Sequence, residues 1–198
     1  MTSIRRATPA DRAFVVQTVI AAFHDDPAWH FMMPTGYHEV GPHFAGTLFD
    51  LRVGSGDVWV ADDGLAVSMW EPPGGASLSS ADTSAAWEAY RAIAGEDRWD
   101  RLSRYDKGID DVRPITDHWY LGVLATHPDH QGRGLARAVT APIRDLADSQ
   151  GLECCLETSK PTNKAIYAAL GFTEVSDIEV VGGPPTWWLR HPPTGLSA

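Results

Sequence analysis

The stretch His130-Gln131-Gly132-Arg133-Gly134-Leu135-Ala136 sets two glycines and a cation between a strand-like run and a helix-like pattern. Gly132 and Gly134 can adopt backbone angles closed to other residues and let an oxyanion come close, while free N–H groups at the following helix start point toward it. Arg133 adds positive charge. Upstream, Trp119 to Ala125 is a run of β-formers and His127-Pro128-Asp129 is turn chemistry, so strand, loop and helix follow in order. Such a loop suits a pyrophosphate-bearing cofactor.

Three glycine-rich phosphate loops compete for this assignment. A P-loop requires Lys-Ser/Thr after its second glycine, and no such pair occurs here. A dinucleotide fingerprint would put its third small residue at Arg137, where a long cation works against close helix–strand packing, although Glu153 lies at a suitable distance downstream. What fits is Gln/Arg-x-x-Gly-x-Gly/Ala, supplied by Gln131, Gly134 and Ala136, which resembles the acetyl-CoA pyrophosphate loop of the GNAT superfamily of N-acyltransferases. Asn163, Ala165, Tyr167 and Leu170-Gly171-Phe172 resemble that superfamily's second signature, a helix ending in Gly-Phe before another strand. A narrower similarity, to the puromycin N-acetyltransferase branch, is carried by Trp119-Tyr120-Leu121, Pro128-Asp129-His130-Gln131-Gly132, Leu156-Glu157-Thr158-Ser159 and Gly171-Phe172-Thr173. Val58 to Gly64 and Ala21-Ala22-Phe23 are similar too, and agreement is weakest from about Pro72 to Pro114.

The resemblance implies an α/β fold: one GNAT-like domain over residues 1–198, its mixed, mostly antiparallel central sheet carrying two splayed strands and flanked by helices. It implies acetyl-CoA as acyl donor. Pantetheine would lie along the backbone of Val123, Leu124 and Ala125, and the pyrophosphate on Gln131, Gly132, Arg133, Gly134, Leu135 and Ala136. Asn163 would meet the pantetheine arm, or cap a helix after Ser159-Lys160-Pro161-Thr162. The side chains of Val123 and Leu124 can fill core at the same time.

Acyl transfer needs a neutral amine, a stabilised oxyanion and a proton for the departing thiolate. Tyr167 matches the family's general acid; an isolated tyrosine there would simply pack a helix on the sheet. Many GNAT enzymes place an acid in the middle of the cofactor strand, where this chain has Tyr120-Leu121-Gly122. Glu157, on the partner strand, is therefore the expected base, directly or through water, with Glu71 a second candidate and a salt-bridged strand residue the bland alternative. For the acceptor, Asp26, Trp29, Phe31 and Trp70 are the expected contacts, with His24, Asp25, His30 and Trp87 nearby. Aromatic faces hold planar groups and carboxylates steer amines, but eight tryptophans must also supply core packing. Asp26 stands where the puromycin branch often carries an aromatic. The implied activity is N-acetylation of a primary amine on a small molecule, an aminonucleoside antibiotic among the candidates and antibiotic resistance the corresponding role, by direct transfer in a ternary complex. A protein or peptide N-acetyltransferase and a non-catalytic acyl-CoA-binding sensor are the alternatives.

Composition sets the outer bounds. A net charge of −10 with no basic run argues against general nucleic-acid binding and would favour a cationic amine, or serves solubility alone. No apolar run spans a bilayer and Met1 to Arg6 lacks a signal-peptide core, so no membrane partner and a cytoplasmic protein are expected, as monomer or homodimer. Neighbouring Cys154 and Cys155 read as reduced packing residues, and His127 with His130 lacks a third ligand, so no metal is expected. Periodicity predicts a strand at Ile4–Arg6 and a helix to about Phe23 with Phe14, Val15, Thr18, Val19, Ala22 and Phe23 inward. It then predicts a helix from Tyr37 or Glu39 to Arg52, a hairpin through Asp62-Asp63-Gly64, helices on either side of Gly95, and strand–helix alternation from His118 onward. Disorder is expected near Pro72 to Ser80 and in a flexible tail at residues 191–198.

Overall fold

The computed structural model describes residues 2–75 and 78–194. Seven strands form one sheet in the order β1 (Ile4–Arg6), β2 (Val58–Ala61), β3 (Ala66–Glu71), β4 (His118–Thr126), β5 (Glu153–Thr158), β7 (Thr186–His191), β6 (Thr173–Ile178). Every pairing is antiparallel except β4 with β5, which is parallel and extends only from His118–Glu153 to Tyr120–Cys155. Beyond that point the two strands diverge. Among the described residues, the edge of β4 from Leu121 to Thr126 that faces β5 then lacks a strand partner, while Leu156, Glu157 and Thr158 pair only with β7. This is the splay that the GNAT resemblance implies.

Residue parity along β4 is reset at Gly122. Met69 pairs with Val123 and Trp70 with Leu121, so Gly122 is an extra residue in a bulge. Tyr120, Val123 and Ala125 consequently share one face of the sheet, and Trp119, Leu121 and Leu124 share the other. On the first face lie α1 (Arg12–Ala22), α3 (Tyr37–Val53), α4 (Ser80–Ala94) and α5 (Glu96–Val112), whose Val15, Val19, Phe44, Phe49 and Leu102 pack into a core with Val58, Val60, Val67 and Met69. On the second face α6 (Leu135–Gln150) and α7 (Pro161–Ala169) bury Leu135, Val139, Ile143 and Tyr167 against Ala61, Ala66, Leu121 and Leu156. α6 runs unbroken through Pro142.

Four details differ from the sequence reading. A short helix, α2 (Pro27–Met32), lies between the first two expected helices, where the sequence reading placed no element, because Asp26 caps it by accepting from the N–H groups of Ala28 and Trp29 and Pro27 pre-sets its first turn. Phe14 points outward rather than joining Val15, Thr18 and Val19 in the core. Pro161 starts α7 with Lys160 as its N-cap, which puts Asn163 inside the helix and removes it as a cap. Of the expected tail, His191 belongs to β7 and Thr194 donates from its N–H to Asp148 Oδ1 at 3.0 Å. Residues 76–77 and 195–198 lie outside the described residues.

Candidate active site

Two cavities meet at the splay. The larger, about 770 Å³, runs along the start of α6 and is lined by Thr126, Gln131, Gly132, Gly134, Leu135, Ala136, Arg137, Lys160, Thr162 and the inner side of α7. The smaller, about 300 Å³, lies on the other face of the sheet among α2, α3, α5, β4 and β5. Five residues border both: Phe23, Asp26, Leu124, Asn163 and Tyr167.

The larger cavity is built mostly from backbone and small side chains. Gly132 and Gly134 hold φ of +74° and +78°, and a Cβ added to either meets nothing within 4 Å, so the loop presents bare backbone to open space. Gly134 is also the residue from which α6 begins, which aims that helix's first N–H groups at the same space. A pyrophosphate fits such a cradle: it needs close backbone approach and unpaired donors, and both are present. Gln131 reaches back to the Thr126 carbonyl at 3.4 Å. Arg133 does not line the cavity. Its guanidinium folds onto the turn, facing His130 Nδ1 at 3.3 Å and donating to the Asp129 carbonyl at 3.2 Å. The cations that do border the cavity are Arg137, which donates to the Ala169 carbonyl, and Lys160, ion-paired with Asp25 at 2.5 Å. Neither was singled out from sequence for this role. Val123 and Ala125 are buried in the core of the first face, and Leu124 borders both cavities.

The smaller cavity is built from side chains that titrate or stack. Glu157 sits on β5 just past the splay, and the Tyr120 hydroxyl donates to its Oε2 at 2.6 Å. Burial pushes the Glu157 carboxyl up to about 7, partly offset by the Tyr120 bond and the Arg113 charge. Asp106 also faces this cavity; burial and the charges of Asp110 and Glu71 push it upward, although water reaching its side chain screens the effect. Glu71 is committed elsewhere: Arg52 Nη2 donates to one oxygen and Arg113 Nη1 to the other at 3.2 Å. Those arginines make Glu71 part of the wall and a poor candidate for a base.

Three tyrosines line the smaller cavity, and their hydroxyls differ. Tyr105 is bonded to Ser159 Oγ at 3.2 Å and Tyr120 to Glu157, whereas the Tyr167 hydroxyl has no partner among the described residues. Tyr167 is buried, its ring is edge-on to Phe172 at 6.0 Å, and burial together with the Glu157 and Asp26 charges holds its phenol well above the usual value. A protonated phenol thus faces the junction of the two cavities. Asn163 lies beside it, its Nδ2 donating to Thr158 Oγ1 at 3.4 Å.

Of the expected acceptor contacts, Asp26 and Trp29 line the smaller cavity, Trp29 wedged between Phe23 at 4.8 Å and Phe44 at 5.0 Å. Phe31 and Trp70 do not. Phe31 turns to the other side of α2, where the guanidinium groups of Arg101 and Arg104 sit over its ring at 5.7 and 5.4 Å. Trp70 is fully buried in the second-face core with Trp119, Leu121 and Tyr167, because alternation along β3 sends Met69 to the first face and Trp70 to the second. Cys154 and Cys155 are buried, and burial pushes the Cys154 thiol up to about 12 and that of Cys155 higher still. Neither cysteine lines either of the two cavities. Among the described residues, no group of three or more His, Cys, Asp or Glu is placed to hold a metal ion, and no helix is long and apolar enough to cross a membrane.

A splayed parallel strand pair beside a glycine loop and helix start, with a free phenol at the junction, defines an acyltransferase fold and site of the GNAT type. A family profile for the acetyltransferase (GNAT) domain matches residues 54–174. The chain belongs to this family and is an N-acetyltransferase. An uncharacterized N-acetyltransferase of Schizosaccharomyces pombe is 27% identical over 180 residues, spanning 85% of this chain and 73% of that one. A Corynebacterium glutamicum structure described as histone acetyltransferase HPA2 and related acetyltransferase superposes with a TM-score of 0.69 at 21% identity, covering 100% and 99% of the two chains. A Drosophila melanogaster polyamine N-acetyltransferase, which forms N-acetylagmatine, gives 0.69 at 13% identity over 97% and 100%. At such identities the structural likeness speaks to the fold.

Proposed function

We propose that residues 1–198 form one acetyl-CoA-dependent N-acetyltransferase domain whose acceptor is the primary amine of a small cationic molecule. One observation carries this reading: a backbone-lined cavity and a carboxylate-lined cavity approach the splay from opposite faces and share Tyr167, whose hydroxyl has no other partner among the described residues. Acetyl-CoA held along the larger cavity supplies an activated acetyl thioester. Gly132, Gly134 and the first N–H groups of α6 receive the pyrophosphate, and the unpaired edge of β4 at Val123, Leu124 and Ala125 takes the pantetheine as an added strand.

The smaller cavity then handles the amine. Asp26, Glu71, Asp106, Asp110 and Glu157 line it against Arg52 and Arg113, five carboxyl groups to two guanidinium groups, so the balance favours a cation. Glu157 takes a proton from the ammonium, which frees the nitrogen lone pair for attack on the thioester carbonyl. As the carbon–sulfur bond breaks, Tyr167 gives its proton to the sulfur, and the proton lost by nitrogen as the amide forms restores the phenol. Because Glu157 must be ionised to act, kcat/KM rises with pH through about 7. A space of about 300 Å³ suits a compact amine better than a peptide chain. The polyamine acceptor of the Drosophila enzyme has the size and charge that this lining favours.

The test is CoA release from acetyl-CoA with a panel of polyamines, arylalkylamines and puromycin, with acetylated products identified by mass. An acetylated small amine is expected. CoA release with peptide N-termini alone would overturn the small-molecule reading, and tight acetyl-CoA binding without transfer to any amine would favour the sensor.

A further inference from the structure

The cofactor strand carries no acid at its centre, but it carries Tyr120, and three contacts constrain that side chain. Its ring stacks on Trp188 with centroids 6.0 Å apart and planes only 8° from parallel. The Arg113 guanidinium lies 4.2 Å from its ring centroid. The missing side chain of Gly122 leaves room between this ring and Arg52, since a Cβ there would sit 3.1 Å from Arg52 Nη2 and 3.4 Å from Tyr120 Cε1. Trp188 is also the residue paired directly with Glu157 across β5 and β7. The ring is therefore fixed by the same strand neighbour that flanks the carboxylate, and its hydroxyl meets Oε2 at 2.6 Å.

We propose that Tyr120 is a positioning residue of the acetyl transfer, which anchors the Glu157 carboxylate through one oxygen and leaves the other directed to the amine. Glu157 Oε1 takes no hydrogen bond from another described residue, as this role requires. The bond orients the base and also stabilises its ionised form, since a hydroxyl can donate to a carboxylate but gains little from a protonated one. The other groups that face Glu157 are Arg113 beyond α5, Tyr105 and Asp106 on α5, and Tyr167 on α7. Of these only Arg113 also favours the anion, and it acts through space. An acid supplied by β5 and aimed by a tyrosine on β4 thus replaces an acid on β4 itself. The proposal rests on Glu157 being the base.

The experiment is a titration of glutamate side-chain 13Cδ resonances by NMR in the full chain without substrate, Glu157 being assigned by its loss in Glu157→Gln. The wild-type midpoint is expected near 7. Tyr120→Phe keeps the ring and its stacking but removes the donor; the midpoint should rise by roughly one unit, the size expected for losing a hydrogen bond to a charged group. The acid limb of kcat/KM, measured with the best amine of the panel, should move by the same amount. Replacing Tyr120 by monofluorotyrosine, a stronger donor with almost the same shape, should move the midpoint down and protects the test against misfolding of the phenylalanine variant. An unmoved midpoint in both variants overturns the proposal while leaving Glu157 as base. Wild-type turnover with its acid limb intact in Glu157→Gln removes the base assignment, and the proposal with it.

Discussion

The two cavities on either side of the splay are made in opposite ways. The larger one is a local construction: Thr126 to Arg137 and Lys160 to Leu170, two short segments, supply most of its wall, and backbone and small residues dominate it. The smaller one gathers side chains from α2, α3, β3, α5, β4, β5 and α7, and carboxylates, guanidinium groups and aromatic rings dominate it. A backbone site recognises what any member of the family must hold; a side-chain site can change its guest by changing single residues. On the proposed function, the shared cofactor belongs to the first cavity and the choice of amine to the second.

The strongest way to break this contrast is to fill the backbone site. Gly134→Trp should cost acetyl-CoA affinity about 100-fold or more, because the side chain occupies the open approach and the residue must also hold a φ of +78° that L side chains rarely adopt. Calorimetry decides it, and unchanged affinity would remove the loop from the cofactor site. Next in size is Glu157→Gln, expected to lower kcat/KM by about 100-fold and erase the limb near pH 7, with acetyl-CoA affinity retained.

The same variant sharpens the contrast through stability. The folded-state value of Glu157, about 7, lies above its ordinary 4.5, so its contribution to stability is fully present below pH 4.5 and is lost as pH rises through 7. Glu157→Gln should therefore melt higher than wild type at pH 8 and show little advantage at pH 4.5, a difference on the order of 2 kcal/mol. A uniform loss of stability at both pH values would contradict the burial argument. The smallest effects separate the two sides of α2. Asp106→Asn should raise KM for a cationic amine several-fold, roughly the worth of one screened charge, whereas Phe31→Ala should leave KM unchanged because its ring faces Arg101 and Arg104 outside the cavity.

The contrast also explains what could be read from the chain alone. The loop was legible because its information is local: glycine at fixed spacing before a helix start is a backbone requirement, and Gly132 and Gly134 do hold positive φ. The hairpin through Gly64 and the strand–helix alternation after His118 were legible for the same reason. Arg133 misled because charge near a phosphate loop suggests contact, whereas His130 and Asp129 hold its guanidinium on the turn. Trp70 misled because an aromatic at a strand end carries no mark of which face it takes until register is known. The wall of the smaller cavity was scarcely legible, since Arg52, Tyr105, Asp106 and Arg113 come from helices whose charges look like ordinary surface. A glycine inside a strand pattern often marks a bulge, and Gly122 carries that signal: it puts Leu124 on the opposite face of β4 from Tyr120.

If the two cavities work together through one phenol, Tyr167→Phe uncouples them. With acetyl-CoA and the best amine of the panel, kcat should fall by about 100-fold or more while the acetyl-CoA dissociation constant stays within about twofold of wild type. Undiminished kcat under conditions where chemistry limits the rate would contradict the account.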